Sequence, residues 1–85
     1  MIQILHFYAD WCGPCKMLDP ILKELIEENQ NLDIVDINID EHEKETSKFG
    51  VMSIPTLVFI KDNEEVDRTI GFVDKKTILE RLAKL

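Results

Sequence analysis

The segment Ile2-Gln3-Ile4-Leu5-His6-Phe7-Tyr8 is short, mostly apolar and β-prone, the pattern of a strand buried on both faces. From Pro14 to about Asn29, Met17, Leu18, Ile21, Leu22, Leu25 and Ile26 recur at helical spacing against Asp19, Lys23, Glu27 and Glu28. This predicts an amphipathic helix, kinked at Pro20. Leu32 to Ile39 alternates, with Val35, Ile37 and Ile39 opposite Ile34, Asp36 and Asn38, and reads as a strand with one wetter face. Asp40 and Glu43 resemble a capping pair for a short helix ending near Phe49 and Gly50. Thr56 to Ile60 and Glu65 to Ile70 read as a hairpin turning at Asp62-Asn63. Asp74 then caps a last helix with Ile78, Leu79, Leu82 and Leu85 on its apolar side.

The order βαβαββα, opening with a right-handed parallel crossover, predicts an α/β fold with a mixed four-stranded sheet and helices on both faces. Eighty-five residues suffice for one modest core, so residues 1–85 are expected to form a single domain. Ten basic against 17 acidic residues leave a formal charge of -7 and no basic surface for a phosphate backbone, so nucleic acid is not an expected partner. The N-terminal segment lacks a basic region and a long apolar run, so neither a signal peptide nor a membrane span is indicated. A cytoplasmic protein is expected.

Only two cysteines occur, Cys12 and Cys15, and so short a ring would stabilise the fold by only about 2 kcal/mol. A structural staple is therefore a poor account of them, and in a reducing cytosol it would not persist. A zinc half-site is another reading, but His6 and His42 lack the paired spacing that four-coordinate zinc requires. Redox chemistry has a clearer logic. At the start of a helix, unsatisfied N–H groups and the helix dipole stabilise a thiolate at the first cysteine, making Cys12 the expected nucleophile. Cys15, one turn deeper, is the expected resolving thiol. Gly13 permits close approach of another backbone, and Pro14 occupies a position where a helix tolerates a missing donor.

The run Trp11-Cys12-Gly13-Pro14-Cys15-Lys16 resembles the active-site sequence of thioredoxins. Phe7-Tyr8-Ala9, Pro20-Ile21-Leu22, Asn38-Ile39-Asp40, Ser53-Ile54-Pro55-Thr56 and Gly71 extend the resemblance along nearly the whole chain. The resemblance implies a protein disulfide reductase whose only redox group is the Cys12-Cys15 pair, without cofactor or metal. It further implies disulfide-containing client proteins and a thioredoxin reductase or equivalent electron donor. Pro55 would be cis beside the cysteines, and Trp11, Gly13, Pro14, Ile54, Pro55, Gly71 and Phe72 would form the docking surface, Ile54 offering its backbone.

Two departures from the family pattern stand out. The chain resembles a minimal thioredoxin lacking the N-terminal strand and helix, which would make the Leu32 to Ile39 strand an edge and leave one sheet face short of a helix. A monomer is expected, with a weak dimer as the other state. The family's buried Asp and its Lys partner are replaced here by His6 and Asp36. His6, oriented by Asp36, is a candidate to take the Cys15 proton, with a hydrogen-bonded core histidine as the plainer alternative. His42, among Glu41, Glu43, Lys44 and Glu45, reads as a solvated surface residue, and Met17 and Met52 as core or rim filler. Two further functions remain in view: a glutathione-dependent glutaredoxin-like reductase, and an interaction module with dispensable cysteines.

Overall fold

In the computed structural model, which describes residues 1–85, the elements follow in the order β1 (Ile2–Tyr8), α1 (Gly13–Glu28), β2 (Leu32–Asn38), α2 (Glu43–Lys48), β3 (Thr56–Lys61), β4 (Glu64–Ile70) and α3 (Lys75–Ala83). The strands form one sheet in the order β2-β1-β3-β4. β1 runs parallel to β2 and antiparallel to β3, and β3 is antiparallel to β4. β2 therefore lies at an edge, as the sequence led us to expect. The mixed sheet with helices on both faces is also as expected.

The unbroken apolar runs of β1 and β3 follow from their central place. Ile4, Leu57 and Phe59 point to one face, where Leu18, Leu22 and Leu25 of α1 and Ile78 of α3 cover them. Leu5, Phe7 and Val58 point to the other, under Phe49, Val51 and Ile54. Alternate side chains thus enter two separate apolar layers, so no polar alternation survives in either strand. The second face is therefore covered, by the end of α2 and the segment after it, rather than left bare.

Several local expectations need correction. Met17 and Ile26 of α1 and Leu79 of α3 are exposed, because the buried stripe of α1 runs Cys15, Leu18, Leu22, Leu25 and each exposed residue lies beside such a stripe. Met52 is not core: the residue is 96% exposed. α1 is, as expected, a single helix that contains Pro20. Asp40 and Glu43 form no capping pair, since α2 begins after His42 without a side-chain cap. The Asp40 carboxylate instead accepts a hydrogen bond from Trp11.

Turn chemistry agrees with the pattern. Asp62 and Asn63 both take positive φ (53° and 66°), the two-residue conformation whose twist matches a hairpin. Asp74 caps α3, accepting from the Thr77 N–H at 2.9 Å and the Thr77 hydroxyl at 2.7 Å. These bonds hold its carboxyl below the usual aspartate range, the hydroxyl contributing most.

Candidate active site

β1 ends at Tyr8, and the chain turns through Ala9, Asp10 and Trp11 into α1. Cys12 is the N-cap of that helix, in an extended conformation, with Pro14 in the first turn. Its sulfur accepts a hydrogen bond from the Cys15 N–H at 3.2 Å. One of the helix's orphan donors is thus aimed at the sulfur, together with the positive end of the dipole. Cys12 and Cys15 are joined as a disulfide, their Cα atoms 5.3 Å apart. Their exposures differ little, 5% and 2%, so position at the helix start rather than accessibility distinguishes the two sulfurs. They pack with Ala9 against Tyr8, Ile39 and Ile54.

Ile39 and Ile54 link the sulfurs to a neighbouring groove. It has a volume of about 260 Å³ and is lined by Trp11, Ile39, Val51, Met52, Ser53 and Ile54. The Trp11 indole lies largely in solvent, its Nε1 donating to Asp40 Oδ2 at 3.0 Å. The Ile54-Pro55 bond is cis. Pro55 itself is buried, and its carbonyl accepts the Gly71 N–H at 2.7 Å, which ties the start of β3 to the residue after β4. No backbone hydrogen bond within the chain engages the N–H or C=O of Ile54. Gly71 has φ +88°, a backbone conformation in which any side chain would be strained.

Of the expected docking residues, Trp11 and Ile54 meet in the groove, Gly13 and Phe72 are exposed, and Pro55 is an internal support. Pro14 is exposed in the first turn of α1. The sequence reading missed Ile39, Val51, Met52 and Ser53 as groove residues. For Val51, Met52 and Ser53 the available signal was the Ser53-Ile54-Pro55 segment that they adjoin or belong to, and for Ile39 the Asn38-Ile39-Asp40 segment.

His6 lies opposite Asp36 in the parallel register of β1 and β2. Its side chain is 1% exposed and its Nδ1 is 3.0 Å from Asp36 Oδ1. A carboxylate only accepts, so Nδ1 carries the proton and Nε2 of the neutral ring presents a lone pair. Nε2 is buried without a partner. The ring stacks on Tyr8, with centroids 5.6 Å apart. Asp19 of α1, which the sequence reading left on the polar side of its helix, approaches the same Nδ1 at 3.9 Å. The ligand atoms of His6, Asp19 and Asp36 all lie within 4.8 Å of one another. Metal-bound imidazoles anchor their second nitrogen, whereas Nε2 here has no partner, so the set lacks the anchoring usual for ligation.

A family model described as Thioredoxin matches residues 1–84. The chain is 46% identical over 78 residues to the thioredoxin of Chlamydia caviae, covering 92% of this chain and 76% of that relative. It is 45% identical over 84 residues to the thioredoxin of Bacillus subtilis, covering 98% and 81%. Among solved structures, the oxidised mitochondrial thioredoxin 3 of Saccharomyces cerevisiae superposes with a TM-score of 0.90 at 31% identity, covering 99% of this chain and 78% of that one.

Proposed function

This chain belongs to the thioredoxin family and is a thiol-disulfide oxidoreductase, and from that membership we propose that Cys12 attacks client disulfides and Cys15 resolves the resulting adduct. The family's redox-active disulfide serves without a cofactor, and its general partners are a thioredoxin reductase and disulfide-containing substrates. The observation that carries the assignment of roles is the Cys12 sulfur at the helix N-cap, hydrogen-bonded by the Cys15 N–H beside an apolar groove.

In the reduced protein the Cys12 thiolate attacks one sulfur of a client disulfide, and the displaced client sulfur takes up a proton. Cys15 loses its proton to His6 Nε2 and attacks the Cys12 sulfur. The second client sulfur leaves and is protonated in turn. Two electrons have then passed to the client, and the protein is left with the Cys12-Cys15 disulfide found here. Asp36 supports this reading by holding Nδ1–H, which leaves Nε2 as the basic atom.

The client lies along Trp11 and Ile54, beside Gly13, Pro14, Gly71 and Phe72, with the unpaired backbone groups of Ile54 available to an extended segment. Pro55 shapes this surface from beneath. Residues 1–85 act as one domain, as a monomer in the cytosol. No helix is long and apolar enough to cross a membrane.

Trapping tests the roles. Cys15→Ser should accumulate mixed disulfides between Cys12 and clients, and Cys12→Ser should abolish both trapping and disulfide reduction. Adducts carried by Cys15 in the Cys12→Ser variant would reverse the assignment. Full activity with glutathione as sole reductant would favour the glutaredoxin-like reading.

A further inference from the structure

Asp19 sits in mid-helix, where aspartate is a poor helix former, and its carboxylate neither caps α1 nor accepts any hydrogen bond. Its one ionic neighbour is His6. The same holds for Asp36, with which no lysine or arginine pairs. Both carboxylates are about half exposed, at 52% and 62%, while the imidazole whose Nδ1 they share is 1% exposed. Asp19 also follows Cys15 by four residues, so the two occupy the same side of α1 one turn apart.

We propose that Asp19 is a second positioning carboxylate for His6, and that with Asp36 it stabilises the imidazolium formed from the Cys15 proton until Nε2–H gives that proton to the departing client sulfur. The inference rests on the proton-acceptor role given to His6 above. In the disulfide form Cys15 has no S–H, and the unpartnered Nε2 is an acceptor awaiting a donor. On resolution the Cys15 S–H bond breaks, the proton joins Nε2, and the sulfur keeps the electron pair that forms the bond to Cys12. The ring then carries one positive charge beside two negative ones. Asp36 at 3.0 Å keeps its bond to Nδ1–H. Asp19 at 3.9 Å adds attraction without competing for that bond.

The charged and titratable groups facing the ring are thus Asp36 from β2, Asp19 from α1 and Tyr8 from β1, while its neighbour on β3 is Leu57. No lysine or arginine forms a salt bridge with either carboxylate.

The test combines NMR titration of the His6 imidazole with stopped-flow measurement of mixed-disulfide resolution across pH. Asp19→Asn should move the His6 titration to lower pH and slow resolution at pH 7 about five-fold, a small part of the roughly 10²–10⁴ available to a general base. Asp19→Glu should restore both. An unchanged His6 titration and rate in Asp19→Asn, with His6→Asn still slowing resolution, would overturn this inference alone. A resolution profile unaffected by His6→Asn would instead overturn the role of His6, and a shifted titration in Asp19→Asn would then show an electrostatic pair without a catalytic task, which also overturns the proposal.

Discussion

Trp11 shows how one side chain can serve two neighbours. Its indole is largely exposed, yet the Nε1–H bond to Asp40 fixes its orientation over the groove. Trp11→Ala removes both the wall and the bond, so KM for a protein disulfide should rise about ten-fold, the loss typical of an aromatic anchor, while kcat changes less. Steady-state reduction of insulin measures this, and an unchanged KM would place docking elsewhere. The cysteines and Trp11 were legible in the sequence because their spacing and order are local. Asp40 was misread as a helix cap because its indole partner lies 29 residues away. Asp19 was unreadable for a similar reason: a polar residue on a helix flank looks solvated until a strand places a buried imidazole beside it.

At the scale of elements, α3 depends on its first turn. Hydrogen bonds from the Thr77 hydroxyl and N–H hold the Asp74 carboxyl below its ordinary value of 3.8. Because the folded value is depressed, the contribution to stability is complete above the unfolded value and lost as pH falls through the folded one. Asp74→Ala should therefore lower the thermal midpoint at pH 7, and its difference from wild type should shrink as pH falls below about 3.8. Calorimetry at both pH values checks this, and a difference independent of pH would show that the carboxylate charge is not what matters. The elements themselves were legible to within a residue or two, because apolar period, Pro, Gly and Asx signals all act locally. The exposed positions of Met17, Ile26 and Leu79 were not. Apolar character marks a candidate face, whereas the width of the buried stripe depends on what packs against it.

For the whole molecule, stability rests on the layer where α1 and α3 meet β1 and β3. Leu57 at its centre is fully buried. Leu57→Ala should cost about 2–5 kcal/mol, against roughly 5–15 kcal/mol for a whole domain, and the urea midpoint should fall accordingly. A loss below about 1 kcal/mol would mean that the layer collapses to fill the space. The sequence by itself determined the order of elements, the Cys12-Cys15 pair and its place at a helix start, since these depend on near neighbours along the chain. Tertiary structure alone decided that Val51, Met52 and Ser53 join Trp11 in a groove, that Pro55 is buried beneath it, and that His6, besides the Asp36 which the family pattern set beside it, faces Asp19. The parallel register of β1 and β2 set the first of those histidine contacts, and the packing of α1 on the sheet set the second. Such pairings are fixed by strand register and helix packing, which join residues that no local spacing relates.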